Sequence, residues 1–295
     1  MDHKIFLSRL DSPTRNALTE RIDAPALTRL ATYWGLMLIF GLYIHTGLPL
    51  WWVMLIPQAI LVVFNFTILH ETVHSTPFKT ELLNNVVGRI ASFIMVIPMH
   101  WFRYFHLAHH RYTNDPENDP ELNVPKPETI KQYLWHISGL PTWRGSIGKL
   151  IKNAVRDNHD PYVPVKGKIK IRLEARIMLA LYAGVFAFIL DGHTWIIWCW
   201  LLPLILGQPF LRLYLLAEHG RCPMVANMLE NTRTTFTNRL VRFLAWNMPY
   251  HIEHHVYPTV PFHKLPVFHK LMAEHLISTS DGYIEFNKAY LEALD

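Results

Sequence analysis

Between Leu30 and His70 the chain carries no Asp, Glu, Lys or Arg over 41 residues. That exceeds the apolar stripe of a soluble amphipathic helix. A bilayer crossing takes about 20 apolar residues, so the stretch fits two helices, roughly 29–46 and 51–69. His-Thr-Gly-Leu-Pro-Leu at 45–50 supplies the turn between them. A second hairpin follows later in the chain. Ile177–Leu190 and Trp195–Leu211 are uncharged and flank the turn Asp191-Gly192-His193-Thr194. Spans of roughly 173–190 and 195–216 are predicted there, with Arg172 and Arg176 snorkelling at the near end. Ile90–Pro98 is apolar but too short to cross, and is expected to be re-entrant or interfacial. The proline-rich 115–168 region reads as irregular, with short helices.

The fold class expected is an all-α integral membrane protein, with four transmembrane helices in two hairpins. A helical cap, residues 70–170 and 219–295, would complete a single domain over 1–295. Neither hairpin turn contains Lys or Arg, so the positive-inside rule places the N-terminus, the cap and the C-terminus in the cytoplasm. Residues 1–28 show no signal-peptide pattern. Trp51, Trp52 and Trp195 stand beside the turns, where an aromatic belt forms. Phe262–Leu276 is amphipathic, and either lies in the membrane interface or packs on the domain.

Composition changes the picture in two places. The chain is 51% hydrophobic and 17% charged, against about 25% charged in soluble domains. Its two cysteines, Cys199 and Cys222, rule out a disulfide framework and a cysteine-ligated cluster. The net charge of +5 is modest and lies at helix ends, so a membrane and not a nucleic acid is the expected partner.

Nine of the 18 histidines fall into a pattern. His70-Glu71-Thr72-Val73-His74 is HxxxH; His106-Leu107-Ala108-His109-His110 and His251-Ile252-Glu253-His254-His255 are each HxxHH. Positions i, i+3 and i+4 share a helix face, so each box aims its imidazoles at one point. His219 stands alone at the end of the fourth span. The topology gathers all nine just outside one face of the membrane. One zinc takes three or four ligands, so nine histidines imply two metals with four or five each. Imidazole alone does not choose between iron, copper, nickel and zinc. A ligating imidazole usually gives its other N–H to a carboxylate or carbonyl. Glu71, Asp119, Glu218 and Glu253 are candidates for that role, with Asn247 and Arg233 near the third box.

The boxes HETVH, HLAHH and HIEHH, in this order between two hairpins, resemble the membrane fatty acid desaturase and hydroxylase superfamily. The run Trp246-Asn247-Met248-Pro249-Tyr250-His251-Ile252-Glu253-His254-His255-Val256-Tyr257-Pro258 is similar to its bacterial members, which implies an inner-membrane location. The resemblance covers roughly residues 30–275. It implies a non-haem di-iron centre on His70, His74, His106, His109, His110, His219, His251, His254 and His255, reached by a substrate tunnel. It implies O2 as cosubstrate, with zinc able to replace iron in purified protein. The reaction implied is oxidation of an unactivated C–H bond in a long-chain lipid, desaturation of an acyl chain in the first place and hydroxylation as the alternative. Acyl-CoA desaturases of the superfamily carry an Asn one turn before the lone His, where this chain has Leu215, and their first box is one residue longer.

Two rival classes remain. HETVH is also the HExxH of zinc proteases, with Glu71 as base, and Leu190-Asp191-Gly192 matches the LDG of intramembrane members. The topology opposes this, because Asp191 falls on the far side of the bilayer from His70. A metal transporter would need charges along its path, and the first two helices contain none. With no cluster motif or dinucleotide fingerprint, electrons must come from a ferredoxin, rubredoxin or cytochrome b5-type donor with its reductase. Lys131, Lys149, Lys152, Arg156, Lys166, Lys168 and Lys170 can steer an acidic donor or anionic head groups. The orientation is testable: a reporter in the Asp191–Thr194 turn reads as non-cytoplasmic and one after Asp295 as cytoplasmic. A non-cytoplasmic C-terminus overturns the assignment.

Overall fold

The computed structural model describes residues 1–295 and is helical almost throughout. Four helical stretches are long and apolar enough to cross a membrane: Ser12–Thr46, Trp51–Val73, Val165–Leu190 and Ile197–His219. They form two hairpins in the expected order. Gly47, at φ +65°, ends the first and opens the turn in a conformation that costs glycine little. The observed helices outrun the apolar stretches. The third begins at Val165, because Lys166, Lys168, Lys170 and Arg172 continue the helix past its apolar part.

The second and fourth stretches are interrupted, as is the separate pair Glu81–Met95 and Met99–Tyr112, and each break is repaired by a neighbouring span. In lipid an unpaired backbone group finds no water, so any interruption must be satisfied internally. The second span bends at Phe64 between Leu55–Val63 and Asn65–Val73. The Asn65 amide donates to the Leu61 and Val62 carbonyls at 2.9 and 3.1 Å and accepts from the Trp34 indole at 3.0 Å. Tyr33 donates to the Leu61 carbonyl at 2.7 Å. The fourth span opens with a π-helical turn, Ile197–Leu201, which leaves a carbonyl to spare. Gln58 of the second span donates to the Cys199 carbonyl at 2.8 Å.

The third break is an elbow within Ile90–Pro98, the stretch expected to be re-entrant or interfacial. Helices Glu81–Met95 and Met99–Tyr112 meet at 96°, as a broken span or re-entrant turn. Val96 takes a left-handed conformation at φ +58° to make the corner. Tyr182 donates to the Phe93 carbonyl at 2.8 Å and Trp200 to the Ile94 carbonyl at 3.0 Å. Glu174 accepts the His100 N–H at 2.8 Å, capping the start of the second helix. Box two is thereby aimed by residues from the third and fourth spans.

The remaining residues form largely short helices. Ile130–Ile137 and Leu140–Val155 lie in the 115–168 region, and His251–Val256, Leu265–Met272 and Tyr283–Glu292 in the C-terminal part. Thr234–Thr235 pairs in parallel with Thr279–Ser280. Of the two readings for Phe262–Leu276, the packed one holds. Phe262, Leu265, Phe268 and Met272 are in the core, and of the large apolar side chains only Val267 and Leu271 are exposed.

The second and fourth spans touch at Gly207. A Cβ there would meet Val63 Cγ1 at 2.4 Å and the Ala59 carbonyl at 2.5 Å. Gly207→Val therefore forces apart the helices that carry His70 and His219. Overpacking of this kind costs about 1–3 kcal/mol, so the variant should melt several degrees lower and hold less metal. Wild-type melting and metal content would refute the contact.

Candidate metal centre

Each box sits on the inner face of its helix, and the three faces meet. His70 and His74 come from the end of the second span, His106, His109 and His110 from the Met99–Tyr112 helix, His219 from the end of the fourth span, and His251, His254 and His255 from the His251–Val256 helix. Eight of these imidazoles are buried, and His74 is half-buried. Helical spacing brings the members of each box together, and only tertiary folding brings the boxes together.

The nine divide into two sets. The ligating nitrogens of His70, His74, His106, His110 and His254 all lie within 4.8 Å of one another, as do those of His109, His219 and His255. His251 joins the second set through its Nε2, 3.1 Å from His219 Nε2. The sets abut: the His110 and His255 rings stack with centroids 4.0 Å apart.

Hydrogen bonds behind the second set determine which nitrogen each ring presents. His109 Nδ1 lies 3.0 Å from Asp119 Oδ1, and a carboxylate accepts. His219 Nδ1 lies 3.2 Å from the Asn231 carbonyl, which can only accept. The Thr113 hydroxyl donates to the His109 carbonyl at 2.8 Å, so it accepts from His255 Nδ1 at 3.1 Å. In the neutral rings these contacts place the proton on Nδ1 and leave Nε2 a bare lone pair; at His109, Glu121 and Asp119 outweigh burial and raise the pKa. Yet His109 Nε2 and His219 Nε2 face each other at 3.2 Å, with His251 Nε2 close on the other side. One proton bridges one such contact; a metal ion takes all the lone pairs together.

The first set shows the same convergence. Nε2 atoms of His74 and His106, His106 and His110, and His110 and His254 are 2.9, 3.0 and 3.1 Å apart. Two nitrogens bound at right angles to one ion at about 2.1 Å are about 3.0 Å apart, against about 3.4 Å on a tetrahedron. Both ring nitrogens of His70 and Nε2 of His255 are buried without any partner in the protein. Orphaned buried polar atoms cost about 1–3 kcal/mol each, so the site is built for something to fill it. Burial holds His251, His254 and His255 well below the ordinary imidazole pKa, which keeps their lone pairs free.

The supporting residues foreseen from sequence divide. Asp119 touches His109 and also accepts the Asn114 and Glu121 N–H groups. Glu71 Oε1 lies 3.9 and 3.8 Å from the Nδ1 atoms of His70 and His254, and Glu218 Oε1 lies 3.6 Å from His251 Nδ1. These are electrostatic distances, longer than a hydrogen bond. Glu253 does not face a box imidazole. Two positions past His251 it falls on the opposite helix face, where it binds His269 and Thr234. Asn247 also points elsewhere, donating to the Phe262 carbonyl at 2.9 Å. Arg233 caps the end of the His219 helix, donating to the Ala217 and Gly220 carbonyls. Thr113 and the Asn231 carbonyl were missed. Thr113 lies four residues after His109 and was findable by spacing; a backbone carbonyl from a remote loop leaves no sequence signal.

The protease arrangement is not formed. Asp191 lies in an exposed turn, outside both histidine sets. Glu71, which would be its base, is fully buried and accepts from the Phe262 N–H and Thr76.

Sequence comparison agrees with this arrangement. The fatty acid desaturase family model matches residues 46–287. The chain belongs to the fatty acid desaturase family. Among curated desaturases it is 26% identical over 222 residues to the sn-1 oleoyl-lipid 12-desaturase of Picosynechococcus, covering 68% of this chain and 62% of that one. It is 28% identical over 239 residues to dihydrorhizobitoxine desaturase of Bradyrhizobium elkanii, covering 72% and 65%. Over 88 residues it is 35% identical to an Arabidopsis thaliana acyl-lipid omega-3 desaturase (cytochrome b5), 30% of this chain and 22% of that. The chain thus spans just under two thirds of the length of the first two relatives. With four apolar spans, this member of the family is a multi-pass membrane protein.

The depressed imidazole pKa values set a pH dependence. A group whose pKa falls on folding binds more protons when unfolded, so stability is kept above the unfolded value near 6.5 and lost below it. Metal-free protein should therefore melt at constant temperature above about pH 7 and progressively lower below about pH 6. A flat profile down to pH 5 would show that the imidazoles are not buried neutral.

Proposed function

We propose that the protein is an O2-dependent desaturase acting on a fatty acyl chain of a membrane lipid, at two irons held by the nine box histidines. The observation that carries the reading is the set of Nε2 lone pairs aimed at shared points, in a chain of the desaturase family. The relatives named for oleoyl-lipid and acyl-lipid substrates support a lipid-linked chain. Residues 1–295 are read as a single membrane domain, in a bacterial inner membrane, with both termini cytoplasmic.

Bound iron would supply O2 activation; the protein supplies position and dryness. Asp119, Thr113 and the Asn231 carbonyl hold three rings in one tautomer, so their lone pairs need no rearrangement. Phe102 stacks on His106 with centroids 5.4 Å apart, and Phe66 lies beside His70. These rings exclude water from the first set and fix imidazole orientation. Which product forms depends on how closely substrate carbons are held to the reacting centre. Desaturation takes two hydrogens from adjacent carbons; hydroxylation adds an oxygen to one.

Protein from iron-supplemented cells should hold roughly two irons per chain. Membranes given O2, NAD(P)H, a reductase and a small redox protein should yield a lipid lighter by two hydrogens. Omitting O2 should stop the reaction, and a product heavier by one oxygen would reassign the protein as a hydroxylase. His109→Ala and His254→Ala, one from each set, should abolish turnover and lower bound iron, while His45→Ala and His193→Ala should not. Full turnover in either box variant overturns the two-metal reading.

A further inference from the structure

Desaturation needs electrons that the chain does not carry. Forming one C=C bond gives up two hydrogens, and reducing O2 to two waters takes four electrons and four protons. The substrate provides two of each, so an outside reductant provides two electrons and solvent two protons. Resting on the proposed function, this balance requires a place where a reductant meets the site.

His74 is the one box imidazole that is not fully buried. It forms part of the wall of an open cleft of about 330 Å³, with Arg103, Leu107, Pro258 and Thr259. Arg103, Leu107 and Arg111 follow at four-residue intervals and share one face of the Met99–Tyr112 helix. His106, His109 and His110 lie on the adjoining, buried side of that helix, with Arg103 at the border between the two and Leu107 and Arg111 turned outward. Leu107 is 44% exposed and Arg111 is exposed. Neither arginine has a carboxylate within ion-pair distance. Arg103 donates to the Thr72 carbonyl and Ser75 hydroxyl, and Arg111 lies over Tyr112.

We propose that this face is the docking surface for a small acidic redox protein, which delivers single electrons through His74. Electron transfer falls steeply with distance, and the edge of His74 is the least covered part of the ligand shell. An apolar side chain between two unneutralised cations suits a weak, steered encounter, in which charge sets the on-rate and orientation. Docking here presents the donor to the five-histidine set first, and the stacked His110 and His255 rings lead on to the second.

The test uses the purified full-length protein in lipid nanodiscs, zinc-loaded so that no turnover occurs. An oxidised acidic [2Fe–2S] ferredoxin is titrated at low and physiological salt, with binding read by calorimetry and melting curves checking that each variant is folded. Wild type should bind, with affinity falling as salt rises. Arg111→Glu, a surface change, should weaken binding by about tenfold or more, Arg103→Gln by less, and Lys288→Glu, on an exposed site of the C-terminal helix, not at all. The proposal falls if wild type does not bind the ferredoxin or if folded Arg111→Glu binds as wild type. It also falls if Lys288→Glu weakens binding equally, or if the variants alter only retention on anionic-lipid vesicles. Product formation by the unaltered protein, assayed separately, reports on the desaturase reading itself.

Discussion

The structure depends on one electrostatic constraint: imidazole lone pairs held about 3 Å apart in a dry interior. Facing lone pairs repel, and in a low-dielectric interior that repulsion is weakly screened. A proton bridges at most one contact at a time, and the Nδ1 protons of His109, His219 and His255 are already committed to Asp119, Asn231 and Thr113. The fold is organised to hold this unfavourable arrangement. Box two is clamped by Glu174 at its helix start, His219 by the Arg233 cap, and the segment before box three by Asn247.

The broken helices serve the same end. The second span is interrupted at Phe64, just before the turns that carry His70 and His74, and Asn65 pins the two parts together. The elbow at Val96 turns the following helix so that its inner face meets both hairpins. Each break leaves carbonyls that lipid cannot satisfy, and each is repaired by a polar or aromatic side chain from another span. The repair couples the spans: moving the fourth disturbs Gln58 and Trp200, and through Trp200 the elbow that aims box two.

This explains what the sequence makes legible. Uncharged stretches report burial in lipid directly, so the two hairpins are readable, and helical spacing makes the boxes readable as faces. The breaks are not, because what permits them lies far along the chain: Trp34 for Asn65, Gln58 for the π-helical turn, Tyr182 for the elbow. The supporting groups follow the same rule. Asp119 is a side chain near its partner and could be guessed. Glu253 was a plausible guess from proximity alone, and helix geometry turns it to the opposite face, where His269 takes it.

Charge balance gives the carboxylates their meaning. Nine neutral imidazoles would bring no negative charge to metal ions bound among them, and buried charge must be compensated. Glu71 lies between His70 and His254, Glu218 beside His251, and Asp119 behind His109, all buried or largely so. Three carboxylates one layer behind the rings would offset bound cations while leaving ligand positions to nitrogen. A carboxylate bonded directly would occupy a position, whereas one behind an imidazole raises that ring's basicity and leaves an edge open. The same logic accounts for Glu71 in the HExxH motif. Between two imidazoles of one histidine set and tied to the Phe262 N–H, it is placed to serve as a counter-charge to a bound metal and not as a general base.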